Sequence, residues 1–168
     1  MNDAWLQQIR SHVERHIGRI DRVFPGDPAG ETADVLYVNP INSRPYHTLV
    51  TAGMSSVAMQ MPPDASTPRR IELMMTLPEA WNLSGNVDDE RAHWPTRLLQ
   101  SLSRWPREHA GWLGWGRTVP NGDPPQPRET LRGPRCVPQL LRVQDRATAT
   151  TAAAMTGYDE RRVAAASP

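Results

Sequence analysis

The chain contains no lysine. All 19 of its basic residues are arginine, set against 18 acidic residues for a net charge of +1. That balance excludes the one-sided basic field of a phosphate-backbone binder, so no nucleic-acid partner is expected. The arginines stand scattered among carboxylates, which fits codon bias better than a recognition surface. A single cysteine, Cys136, excludes an internal disulfide and a cysteine-based zinc site. Phenylalanine occurs once and tyrosine three times, so six tryptophans supply most of the aromatic bulk. No run approaches the roughly 20 apolar residues of a membrane helix. The opening MNDAWLQQIRSHVERH holds no apolar stretch that would act as a signal peptide. A soluble protein of the reducing cytoplasm is expected, without membrane contact.

A chain of 168 residues has room for one domain and a sizeable core. Seventeen prolines and an apolar share of 38% predict many loops and turns. Trp5, Ile9, Val13 and Ile17 recur every four residues, which predicts an amphipathic helix over 4–20. PGDPAG, Pro25 to Gly30, stops it. VLYV (Val35 to Val38) and YHTLVTAG (Tyr46 to Gly53) read as strands. RRIELMMTLP reads as a third, with Ile71, Leu73, Met75 and Leu77 on one face. A second helix is expected to open near Trp94-Pro95, bury Leu98, Leu99, Leu102 and Trp105, and be interrupted at Pro106. Trp115 to Val119 then fits a short strand before an Asn121-Gly122 reversal. Strands broken by one long helix indicate an α+β domain.

The organisation divides into 1–30 as an N-terminal helix and linker, 31–127 as the core, and 128–168 as an atypical tail. That tail holds one aromatic residue, Tyr158, and a run of ATATTAAA. Pro134 and Pro138 break what would otherwise be a strand over 130–141. Such a segment buries little and is expected to be poorly ordered.

Residues capable of chemistry are present without a chemical spacing. His12 and His16 lie one helical turn apart, but Val13 stands where a metalloprotease helix carries glutamate. His47, His93 and His109, with Asp88, Asp89 and Glu90, are the acid–base candidates, and no spacing among them defines a geometry. The acidic triplet before His93 is better read as first-turn carboxylates on a helix dipole. No GxSxG elbow or phosphate-binding glycine loop occurs. No enzyme, metal or cofactor is expected. Five of the six tryptophans fall between Trp81 and Trp115, where core packing explains most of them and one or two are left to rim a groove.

Four blocks then stand in a familiar order: RPYHTLVTAGMS (Arg44 to Ser55), IELMMTLPEAW (Ile71 to Trp81), HWPTRLLQSLSRWP (His93 to Pro106) and WLGWGRTVPNGDPP (Trp112 to Pro125). Together they resemble the bacterial suppressor of fused-like domain. The resemblance implies an α+β fold with a mixed or antiparallel sheet packed with helices. It implies a non-enzymatic protein-binding domain that holds an extended peptide beside its sheet, and in bacteria often an immunity protein neutralising a toxin. By that resemblance, Tyr46, His47, the Gly53-Met54-Ser55 turn, Glu72 and Trp115 border the partner groove.

The chain departs from the family pattern at Ser56, where an aspartate is frequent, and at Arg117, where histidine is usual. From Arg128 the expected apolar strand is replaced by TLRGPRCVPQLLRVQD. Two readings therefore stand beside protein binding. One is a small hydrolase or metal-dependent enzyme using His47, His93 or His109. The other is a truncated or frameshifted remnant of the family. The sequence leaves the partner's identity and the oligomeric state open.

Overall fold

A computed structural model describes residues 3–63, 68–83, 89–114 and 139–142. Its centre is one antiparallel sheet in the order β1-β2-β3-β4-β5, formed by Arg22–Phe24, Asp34–Val38, Tyr46–Ala52, Ile71–Pro78 and Gln139–Arg142. Each strand pairs with its neighbour in chain order. The fold is α+β, as the strand and helix patterns predict, and no strand pair is parallel among the described residues. The expected breaking effect of Pro138 is not felt one residue later. The backbone of Gln139–Arg142, within the segment expected to bury little, forms the edge strand against Ile71–Met74.

The sheet is covered on both faces because its strands alternate apolar residues on both. Leu36, Val38, Val50 and Ala52 face one side. There they meet Ile9 and Val13 of helix α1 (Asp3–His16), both fully buried. The stripe read from the sequence is the stripe that packs. On the other side Val35, Tyr37, Leu49, Leu73, Met75 and Leu77 meet Leu99 of helix α2 (Glu90–Glu108), with Leu98, Leu102 and Trp105 partly buried beside it. A fully buried leucine in either layer contributes about 2–5 kcal/mol when judged by truncation to alanine.

Helix α2 differs from expectation at both prolines. It starts at Glu90, before Trp94-Pro95, and it continues through Pro106 to Glu108. Its opening turn has other supports. The Asp89 carbonyl accepts from the backbone N–H groups of Ala92 and His93, and the Trp81 indole donates to Ala92 O at 2.9 Å. Pro106 falls in the last turn, where it removes only the bond that would end on its own nitrogen. The chain beyond it is closed by His109 N–H to Trp105 O and Gly111 N–H to Pro106 O, both 3.0 Å. The strand and reversal expected over 115–122 lie outside the described residues. Strand β1, unforeseen in the sequence, has only three residues and no room to show a period. No described helix is long and apolar enough to cross a membrane.

Candidate partner-binding site

Strand β3 is central, and the residues named from the resemblance divide between its two ends, about 20 Å apart for seven residues of strand. Tyr46 and His47 stand at its start. Gly53, Met54 and Ser55 stand just past its finish, beside Glu72 of β4. Trp115 lies outside the described residues.

At the finish, the chain leaves β3 through Gly53, whose φ of 123° lies in the region that favours glycine, and enters a short 3₁₀ turn, Met54–Ser56. Glu72 organises this turn from within, being 0% exposed. Its Oε1 accepts from the backbone N–H groups of Gly53 and Ser55, each at 3.0 Å, and from Ser55 Oγ–H. Its Oε2 accepts from Thr51 Oγ–H at 2.6 Å. Thr51 Oγ1 in turn accepts from Leu73 N–H at 2.8 Å, replacing a sheet bond where the β3–β4 register ends. Burial pushes the Glu72 carboxyl above its ordinary value, while the donors from Ser55, Thr51 and Gly53 act against that rise. Every one of these bonds is internal. Glu72 and its turn therefore act on the surface by holding backbone in place, and Arg70 extends the clamp by donating to the carbonyls of Ser55 and Ser56.

At the start of β3 only Tyr46 is exposed, while His47 is buried beside a cleft. His47 is 8% exposed, with its Nε2 at 3.0 Å from Glu79 O and its Nδ1 at 2.7 Å from the Tyr37 hydroxyl. Tyr37 donates to Asn39 Oδ1 at 2.5 Å. Burial, and then the carboxylate of Asp21, raises the Tyr37 phenol above its ordinary value, with Arg22 opposing. Asp21 Oδ2 accepts from Asn39 N–H at 3.0 Å, and Arg22 donates to Leu83 O at 3.1 Å. Asp21, Arg22, Tyr37, Asn39 and Leu83 line a half-open cleft of about 330 Å³. Tyr46, 39% exposed, adjoins it through Arg44, which donates to Asn39 O and Tyr46 O and places its guanidinium 5.4 Å from the Tyr46 ring. Sequence reasoning missed Asp21, Arg22, Tyr37 and Asn39 as a group.

Of the histidines named for acid–base chemistry, His93 and His109 do not converge. His93, in the first turns of α2, is 1% exposed and packs edge-on against Phe24 at 5.6 Å. His109 lies beyond the other end of α2, stacked on Trp105 at 4.9 Å. Sixteen residues of helix separate them by about 24 Å, too far to serve one centre. On α1, the His12 and His16 rings lie 4.5 Å apart. Burial, then the neighbouring His16 and Arg15, holds His12 below its ordinary value. Among the described residues no three His, Cys, Asp or Glu side chains are grouped to hold a metal.

The chain matches no curated protein and no solved structure. It does match the family model described as Suppressor of fused protein (SUFU), over residues 30–152. That span takes in β2, β3, β4, α2 and β5, hence the whole sheet except its first strand. With well over half of its length in that match, the chain belongs to the suppressor of fused family.

Proposed function

We propose that this domain works by binding another polypeptide, without bond-making chemistry of its own. The setting we propose is immunity in a bacterial cytoplasm, with a co-encoded toxin as the partner. The observation that carries the reading is the double cover of the sheet. Helices α1 and α2 occupy its two faces, so among the described residues the surfaces left to a partner are the edge strands β1 and β5 and the cleft beside β1. An extended segment can add to such an edge, taking affinity from main-chain hydrogen bonds and specificity from neighbouring side chains. Tyr46 and His47 then serve at the cleft end, Tyr46 by contact and His47 by orienting Tyr37. The Gly53-Met54-Ser55 turn and Glu72 serve by shaping β3 and β4, and we assign Trp115 to the groove wall.

Hydrogen exchange on the full chain, with and without the polypeptide encoded beside it, tests this reading. Binding at a sheet edge protects the amides of 22–24 or 139–142 when the partner is added. A bound partner that leaves both edges unprotected, or turnover of a substrate by the isolated domain, overturns it.

A further inference from the structure

The cleft at β1 carries one acidic and one basic side chain from adjacent positions, Asp21 and Arg22, each tied down from behind. Asp21 is held through Oδ2 by Asn39 N–H, and its backbone N–H donates to Tyr37 O at 2.9 Å. The Arg22 guanidinium is held by Leu83 O and lies 5.7 Å from the Phe24 ring centre. Among the described residues these bonds use one oxygen of Asp21 and one N–H of Arg22. The second carboxylate oxygen remains as an acceptor, and four guanidinium N–H groups remain as donors. Tyr37 and Asn39 add neutral polar groups, and Leu83 adds the apolar contact.

Such a lining discriminates by charge. A carboxylate entering it meets Arg22 but is repelled by Asp21, and an ammonium or guanidinium meets the reverse. A carboxamide satisfies both together, its NH₂ donating to Asp21 and its oxygen accepting from Arg22. The position of the cleft selects the source of that carboxamide. Arg22, Tyr37 and Leu83 all lie on the α2 side of the sheet, and β1 pairs only with β2 among the described residues. A strand added outside β1 would run about 4.8 Å beyond it, with alternate side chains standing on that same side, next to Arg22.

We propose, resting on the protein-binding reading above, that β1 is the edge that receives the partner strand. On this proposal the cleft of Asp21, Arg22, Tyr37 and Asn39 is a pocket for an asparagine or glutamine side chain of that strand. The partner's specificity then resides in a neutral amide at one alternate position of an extended segment.

The test uses the full chain and three capped pentapeptides of alternating valine and threonine, with Asn, Asp or Arg at the centre, followed by amide NMR shifts. The Asn peptide is expected to shift Arg22, Val23, Phe24 and Asn39 and to bind about tenfold more tightly than either charged peptide. Replacing Asp21→Ala should erase the discrimination against the Asp peptide. Replacing Arg22→Ala should erase that against the Arg peptide. Equal binding of all three, shifts confined to 139–142, or no shifts at millimolar peptide overturns the proposal. Protection of β5 alone by the natural partner would remove the amide pocket while leaving protein binding intact. A partner that protects neither edge would remove both.

Discussion

Trp5 Nε1 donates to Ser55 Oγ across 2.9 Å, although fifty positions of chain separate them. Ser55 passes the contact on, since its own hydroxyl donates to the buried Glu72 carboxylate. Helix α1 is thus tied to the turn after β3 by a bond that continues into the sheet. Arg70 lies over the indole at 5.7 Å and closes the outside of this joint.

Trp5→Phe keeps the apolar ring and removes the donor, so it should cost about 1 kcal/mol. Ser55→Ala should cost more, because it also takes a donor from Glu72. The double variant should be less destabilised than the sum of the two, by about 0.5–1.5 kcal/mol, when urea midpoints are compared. Simple additivity would mean that the two groups do not act together.

Glu72→Ala leaves the N–H groups of Gly53 and Ser55 and the hydroxyls of Ser55 and Thr51 without their acceptor. Each orphaned buried donor costs about 1–3 kcal/mol, so this variant should lose most of the domain's stability. Glu72→Gln keeps one oxygen for the Oε1 donors and should fold. It also isolates a pH effect. Because burial raises the folded-state value of Glu72 above its unfolded value, protonation favours the fold. That contribution is full below about pH 4.3, the unfolded range, and is lost as pH rises through the raised folded value. The stability of the natural chain relative to Glu72→Gln should therefore fall as pH rises above the unfolded range. A difference that grows with pH would show that the four donors outweigh burial.

These residues also mark how far sequence reasoning reaches. The stripe of α1 and the alternation of IELMMTL were legible because each is a local period facing one layer. Glu72 was visible as a charged residue inside an apolar strand. Its role was not, since its partners come from Thr51, Gly53 and Ser55 on the preceding strand and turn. The cleft was illegible for the same reason at longer range. Asp21 and Arg22, Tyr37 and Asn39, and Leu83 come from three separated segments and meet only when β1 pairs with β2 and Leu83 packs over the same face. The prolines of α2 misled because each loses a single bond, which tertiary contacts from Trp81 and the closing turn offset.

Tyr37 and His47 stack with ring centres 5.6 Å apart and share a hydrogen bond at one side of the cleft. Tyr37→Phe retains the stack and leaves buried His47 Nδ1 without that partner. It should cost about 1–2 kcal/mol in urea unfolding. His47→Phe should cost a similar amount by abandoning both Tyr37 Oη and Glu79 O. If Tyr37→Phe proves neutral, the bond to His47 contributes nothing to the fold.

His93 is buried, and neither ring nitrogen has a hydrogen-bond partner among the described residues. A buried polar group in that condition is a burden on the fold. His93→Leu, close in volume and facing Phe24, should raise stability by about 1 kcal/mol, read as an increase in Tm. A fall in Tm would show that the imidazole holds a bond the structure lacks.

The end of α2 holds the complementary case, a backbone position with the wrong residue. Ala110 has φ of 45° and is exposed, between the last helical residue Glu108 and the closing bond from Gly111 N–H to Pro106 O. That left-handed conformation is where helices most often place glycine, and a Cβ there costs about 1 kcal/mol. Ala110→Gly should therefore raise Tm by about 2–4 °C. The next position has the opposite sign. A Cβ on Gly111 would lie 2.9 Å from Trp105 Cζ3, so Gly111→Ala must displace an indole packed against the core. The two neighbouring substitutions, measured side by side by thermal melting, should move Tm in opposite directions. A decrease with Ala110→Gly would mean that the helix does not end in the left-handed turn described for it.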